Sequence, residues 1–452
     1  MKQLHHHPLF SVRTSRPKLE QLIHNFVDEP QQPIVRKWCC ALQTATLLSL
    51  IISHTVLGEP LTPGDREHAL KRIAFSENTN IAGIDKARTR EELVNALLES
   101  INPALVVVPP AWTLQYPQPI DNKWPMGDEI RQLYKHQRVQ QLRSQKRELK
   151  SWWLQQIAQK RSPVAERLLV FWHNFYTTEL RKVHGPLMWR QHMLLRQHML
   201  GSYSDLMAAI IKNPALLRYL DNQKNRKGNP NENFARELLE LYTLGEGHYN
   251  ESDIKELARV FTGASFQARS GEYQFFQNQH DNGEKTLLGK TGTYQPIDIT
   301  DLLLAHPRAA EHLIEKLWQA YISPTPNEIA IKRLAVYFRE QDYSLYSLLH
   351  KLWLEPAFWE NANRYSLVKS PLEYVANLHW RNDISLKPSD HLIRDLEEMG
   401  QDLFDPPDVG GWPEGRDWIN SSRLINRERY RRQFASRMSL QLPESDELEH
   451  LK

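Results

Sequence analysis

From residue 62 onward, apolar residues recur at intervals of three and four in one segment after another, and a single stretch alternates instead. A period near 3.6 is the spacing of a helix face, so this chain has to build its core by packing helices rather than by layering sheets. TPGDREHALKRIAFS opens the pattern, with Thr62 placed to cap a helix and Pro63 at its first position. Residues 129–153 carry Arg131, Lys135, Arg138, Arg143, Lys146, Arg147 and Lys150 between Leu133, Val139, Leu142, Leu149 and Trp152, which reads as an amphipathic helix with a solvated charged face. Ser162-Pro163 starts another, with Ala165, Leu168, Leu169, Trp172, Phe175 and Tyr176 on its apolar face. The exception is SFQARSGEYQFFQ, which alternates about Ser270-Gly271 and predicts a two-stranded ribbon. The expected architecture is mainly α: a single large irregular helical bundle-like domain over residues 59–435 with a small β-hairpin insertion, followed by a frayed tail at 436–452. The proline-punctuated run NPALVVVPPAWTLQYPQPI is a surface-wrapping connection, not a domain linker. No repeat of 30 to 45 residues is visible, which argues against a solenoid.

The start of the chain has a different character. Val35-Arg36-Lys37-Trp38 precedes CCALQTATLLSLIISHTVLG, an apolar run too short and too rich in Gln, Thr, Ser and His to span a bilayer comfortably. It reads as a signal peptide ending near Gly58, with export to the periplasm or beyond as its consequence. Thirty-four residues lie ahead of it. In a bacterial chain, a valine start at Val35 places the basic residues directly at the N-terminus. Removal of residues 1–58 leaves 51 basic and 51 acidic residues, and takes away Cys39 and Cys40, the only cysteines of the chain. The mature protein then has no thiol, which excludes disulfides, thiolate zinc sites and cysteine nucleophiles. A formal charge of +3 over 452 residues gives no basic field for nucleic acid, and a charged fraction of 25% excludes a multi-span membrane protein.

Two polar segments are candidates for function. In YLDNQKNRKGNPNENFARELLELYTLGEGHY, Asn231 can cap a helix with Phe234, Leu238, Leu241 and Tyr242 on its apolar face, and Arg236 and Glu240 form an exposed pair. Glu237 flanks the apolar arc near Asn233, where a partly desolvated carboxylate needs a partner or serves as a working group. In QHDNGEKTLLGKTG, a Gly-containing loop presents His280, Asp281, Asn282 and Lys285 together. This set can act as base and orienting carboxylate, bind a metal or an anion, or simply lock the loop, since Asp-Asn-Gly is also turn chemistry. His173, at the edge of its helix, is expected to be half-buried against a defined partner. A haem reading for His173, His192 and His198 has no CxxCH motif behind it.

The strings FWHNFYTTEL, QHMLLRQHMLGSYSDLMAAIIKNPALLRYLDNQKN, PNENFARELLELYTLGEGHYNESDIKELARVFTG, HDNGEKTLLGKTG, KSPLEYV and GQDLFDPPDVGGWPEGRDWINSSRL, in this order, resemble the domain of unknown function 1800 family over roughly residues 62–434. The resemblance implies an exported bacterial protein, often encoded beside a second uncharacterised exported family whose product is a candidate partner. It implies no activity and no cofactor. Many relatives read His-Asn-His where this chain has His173-Asn174-Phe175, so either a pair of imidazoles is lost here or the third position only packs.

Two readings follow. In the first, Glu237, His280, Asp281 and Lys285 do acid/base or metal chemistry in a hydrolase- or transferase-like exported enzyme or ligand-binding protein, with Asn231, Asn233 and His173 binding; no GxSxG, HExxH or Walker pattern accompanies them. In the second, the chain is a non-catalytic binding or assembly module whose exposed aromatics meet a polysaccharide or the co-encoded protein. No nucleic acid, and no membrane anchor after processing, is expected in either.

Overall fold

The computed structural model describes residues 58–105, 107–117 and 128–439. The apolar leader, Val35, Cys39, Cys40 and residues 440–452 lie outside the described residues.

Helices account for 59% of the structure, with 18 helices and two small antiparallel hairpins among the described residues. Helices α1 (Pro63–Ile73) and α2 (Arg90–Glu99) each open on a capping box, Thr62 with Asp65 and Thr89 with Glu92. Then come α3 (Asp128–Ala158), α4 (Pro163–Phe175), α5 (Gly185–His198), α6 (Tyr203–Ile210), α7 (Pro214–Tyr219), α8 (Asn233–Glu240) and α9 (Glu251–Val260). The hairpins β1 (Ala264–Phe266) with β2 (Tyr273–Phe275) and β3 (Lys285–Leu287) with β4 (Lys290–Gly292) follow. The chain continues through α10 (Ile299–Leu304), α11 (Pro307–Tyr321), α12 (Glu328–Glu340), α13 (Leu345–Trp353), α14 (Pro356–Trp359), α15 (Asn361–Arg364), α16 (Pro371–Arg381), α17 (Asp390–Glu398) and α18 (Ser421–Ser439). The buried hydrophobic side chains join in one contiguous core. No described helix is long and apolar enough to cross a membrane.

At the centre is α4, packed against α1, α3 and α5 and buried over its whole circumference except at Asn174. Its sequence marks one apolar face, but Glu166, Arg167 and His173 are buried too. A charge taken into such an interior must meet a partner there. Glu166 accepts from Arg196 at 2.5 Å and from the Trp153 indole at 2.9 Å, and Arg167 donates to Glu373 at 2.7 Å. These partners come from remote segments, which is why a window of sequence cannot show them.

The long helix α3 anchors only by its last turns, where Leu149, Trp153, Leu154 and Ile157 enter the core. Leu133 and Val139, read as part of a buried face, are 59% and 45% exposed. The ribbon about Ser270-Gly271 is present as β1 and β2, with Ser265 opposite Gln274. Gly263 precedes it at φ +80°, and a Cβ there would lie 2.5 Å from the Phe276 carbonyl oxygen, so that crossing admits only glycine. The second hairpin falls where the sequence suggested an irregular loop. Leu288 (φ 49°) and Gly289 (φ 76°) turn it with two left-handed residues, the combination that a tight two-residue hairpin requires. Helix α18 stays regular to Ser439, past the expected start of the tail at Ser436.

Candidate functional site

The candidates drawn from sequence do not meet in one place. Among the described residues, no hydrogen bond or ion pair joins Glu237 to His280, Asp281 or Lys285, and His173 lies in a separate aromatic cluster. His280 is buried, with Nδ1 3.0 Å from the Thr262 carbonyl and 3.3 Å from its hydroxyl, and its ring is 5.0 Å from that of Phe275. Burial holds its pKa below the usual histidine value. Asp281 accepts from Arg259 at 2.8 Å and from the Gly283 amide at 2.9 Å, contacts that bring its pKa to about 2. Lys285, 1% exposed, donates to the carbonyls of Asp281, Gly283 and Tyr294. An ammonium spending its three donors on the carbonyls of its own hairpin is a knot, and it leaves little for a ligand.

Glu237 is half-buried on α8, and burial, with Glu240 nearby, raises its pKa. Its carboxylate has no protein partner among the described residues, so the structural alternative, a bond to a partner, is not seen there. Arg236 bonds Glu232 and Glu251 rather than the expected Glu240, which takes the Tyr249 hydroxyl. Asn231 accepts the Asn233 amide at 3.0 Å, but the N-cap is Glu232, which makes no side-chain capping bond, and the exposed Asn233 donates to the Leu220 carbonyl. Upstream in the same segment, Asn222 and Asn225 satisfy the carbonyls of Ala258, Phe261 and Ala264, clamping the end of α9.

His173 is fully buried, not half-buried, because α4 has no solvent side there. Its Nε2 lies 3.1 Å from His192 Nδ1, with Trp153 and Phe404 against its ring. Burial, with Arg196 nearby, lowers its pKa to about 3. Phe175 packs among the rings of Phe171, Trp172, Tyr176, Tyr242 and His312. Among the described residues no three His, Cys, Asp or Glu side chains converge as a metal centre needs.

A different site emerges from the backbone geometry. Gly64, Glu67, His68, Lys71 and Arg72 follow the helical period on one face of α1, and Arg167, Val170, Phe171 and Asn174 do so on α4. These two faces wall a cleft of about 310 Å³, closed by the segment from Arg364 to Glu373 and by the loop carrying Trp412, Glu414 and Trp418. Asn174 pins that loop: its Oδ1 accepts the Trp412 amide at 2.6 Å and its Nδ2 donates to Glu414 at 2.9 Å. Gly411, at φ +99°, makes the approach possible, since a Cβ would sit 2.4 Å from Asn174 Oδ1.

The electrostatics of the cleft are one-sided. Arg167 uses Nε on Glu373 and Nη2 on the Ala320 carbonyl, and its guanidinium lies over the Tyr321 ring. Arg72 uses only Nη2, on the carbonyls of Asn363 and Arg364. Neither Nη1 has a partner among the described residues. Burial lowers the pKa of Arg72 to about 10 despite Glu373, with Arg167 adding to the fall. Lys369 donates to Asn377, and burial together with nearby Lys71 lowers its pKa. Glu373, opposed by its burial, is nevertheless held ionised by Arg167 and by the Ser370 amide. That carboxylate balances Arg167, while Arg72 and Lys369 have no carboxylate within ion-pair distance among the described residues. The start of α16 is not the source of this field, because its amides are already taken by Glu373, Ser370 and Gln401. His68 bonds the Phe358 carbonyl at 2.8 Å, and burial brings it to about 4, so it is neutral at pH 7.

None of Arg72, Arg167, Lys369 or Glu373 stood out in the sequence, where Arg72, Arg167 and Glu373 look like the polar faces of helices and Lys369 like part of a connection. The available signal was the set of strings FWHNFYTTEL, KSPLEYV and GQDLFDPPDVGGWPEGRDWINSSRL, which are remote in sequence and all border this cleft. No curated protein and no solved structure matches the chain. The family model described as "Protein of unknown function (DUF1800)" matches residues 68–451, so the chain belongs to the DUF1800 family.

Proposed function

We propose that this is an exported protein that binds an anionic ligand, of the carboxylate or phosphate type, in the cleft between α1 and α4. The observation that carries the reading is the pair of guanidiniums, Arg72 and Arg167, that present unpartnered Nη1 groups to the same cleft with one carboxylate, Glu373, between them. Guanidinium forks suit oxyanions, and charge-assisted hydrogen bonds in a partly desolvated cleft are the strong kind. Val170, Phe171, Leu367, Val368 and the two tryptophans supply apolar contact for the body of the ligand. Two acid/base groups of the walls are committed to structure, His68 to a carbonyl and Glu373 to Arg167 and Ser370, which favours binding over general acid/base catalysis by them. The basic segment and apolar run at residues 35–58 support export.

Malonate, sulfate and phosphate, titrated against the protein's thermal transition, test the reading. Saturable stabilisation by at least one of them in the wild type, weakened roughly tenfold in Arg72→Gln, is expected, that being the loss of about one charge-assisted contact. Equal stabilisation of both proteins refutes it.

A further inference from the structure

The cations of the cleft continue onto its rim. Arg427 on α18 donates Nη2 to the Lys369 carbonyl at 2.9 Å and stacks over Tyr374, 5.4 Å from the ring centroid. Its Nε is buried and unpartnered among the described residues. One turn earlier, Arg423 lies over Gly400, where a Cβ would come 2.6 Å from its Nε, and bonds the carbonyl of Asp417, the neighbour of the cleft residue Trp418. One turn later, Arg431 is exposed and shares Glu428 with Arg432. Arg423, Arg427 and Arg431 therefore line one side of α18 at intervals of about 6 Å. Among the described residues Arg423, Arg427 and Lys369 have no carboxylate within ion-pair distance, so the row of cations is uncompensated from the cleft as far as Arg423 and Arg427, while Arg431 at its outer end is paired with Glu428.

A row of this kind suits a ligand with one negative charge per repeat. The large exposed apolar residues of α18 are Leu424 and Ile425, both aliphatic, while its aromatics Tyr430 and Phe434 are buried. The ridge thus offers no stacking platform of the kind single-stranded nucleic acid uses. The cleft, by contrast, offers hydrogen-bonding groups suited to hydroxyls. Among the described residues Gln401 gives Oε1 to the Leu372 amide and has no partner for Nε2, and Trp418 has none for its indole N–H, while Tyr365 stands 92% exposed at the edge. Resting on the anion-binding reading of the cleft, we propose that the ligand is an acidic polysaccharide of the uronate class, with one carboxylate held by Arg72 and Arg167 and the following ones met by Lys369, Arg427, Arg423 and Arg431.

Calorimetric titration with galacturonic acid and with an oligogalacturonate of about ten residues tests this, using the full chain, Arg72→Gln, and the double variant Arg423→Gln with Arg431→Gln. The oligomer is expected to bind the wild type at least roughly tenfold more tightly than the monomer, a gain from several simultaneous contacts. The double variant should lose that gain while keeping its stabilisation by the small anions, and Arg72→Gln should weaken both. Monomer and oligomer binding with equal affinity overturns the polysaccharide proposal and leaves the cleft reading standing. Oligomer binding that depends on the ridge but not on Arg72 overturns the cleft reading. Oligothymidylate of equal length binding as tightly as oligogalacturonate also overturns the proposal.

Discussion

Arg72 and His173 show how burial decides what a side chain can do. Arg72 keeps its charge in a partly desolvated cleft and, among the described residues, hydrogen-bonds only to backbone carbonyls, with Glu373 nearby, so an incoming oxyanion would supply the contact that its Nη1 lacks there. His173 is neutral, because burial and Arg196 disfavour its protonated form. Its pKa in the folded state is depressed to about 3, so below the unfolded value near 6.5 the unfolded chain binds the extra proton and stability falls as pH falls. The slope this adds between pH 6 and 4 is about 1.4 kcal/mol per pH unit. Thermal melts across that range should show a shallower decline for His173→Gln than for the wild type; parallel curves would mean that the imidazole is not buried neutral. Lys285 gives a third case. With its three donors on hairpin carbonyls, Lys285→Met should cost several degrees of melting temperature and leave anion binding intact, whereas loss of binding with an unchanged melting temperature would return Lys285 to the working site.

At the scale of elements, the helices were legible and their surroundings were not. Thr62, Pro63 and Ser162-Pro163 mark helix starts by local chemistry, and each is found where the sequence places it. The ribbon at Ser270-Gly271 was equally local. What was not legible depended on distant partners: the burial of α4 on every side, set by Arg196, Glu373 and His192, and the exposed early turns of α3, which nothing among the described residues covers. The second hairpin was missed because its turn is Leu288-Gly289, a pair that lacks the Asn-Gly or Asp-Gly signature. The loop after α17 is positioned by Asn174 of α4 through Gly411, so Gly411→Ala should displace the Trp412 turn. The expected result is anion affinity reduced roughly tenfold or more with the far-UV helical signal unchanged, as a positive-φ glycine with a close backbone neighbour tolerates no Cβ. Unchanged affinity would show that the turn does not shape the cleft.

For the molecule as a whole, Asn231, Asn233, His280, Asp281 and Lys285, prominent in the sequence, hold loops and helix ends, while the cleft is assembled from helix faces and loops that are remote in sequence. Arg72, Arg167 and Glu373 meet only because α1, α4 and α16 pack together, and no spacing rule announces such a meeting. The proposed export is tested on the whole chain as well: N-terminal sequencing of secreted protein should find a mature start near Glu59, and a processed chain beginning upstream of Val35 would contradict it. The central claim is that the cleft is an oxyanion site, and the most direct measurement is a crystal structure determined with malonate at saturating concentration. The account predicts a carboxylate within hydrogen-bonding distance of both Arg72 Nη1 and Arg167 Nη1. Malonate bound elsewhere, with those two groups unoccupied, would contradict it.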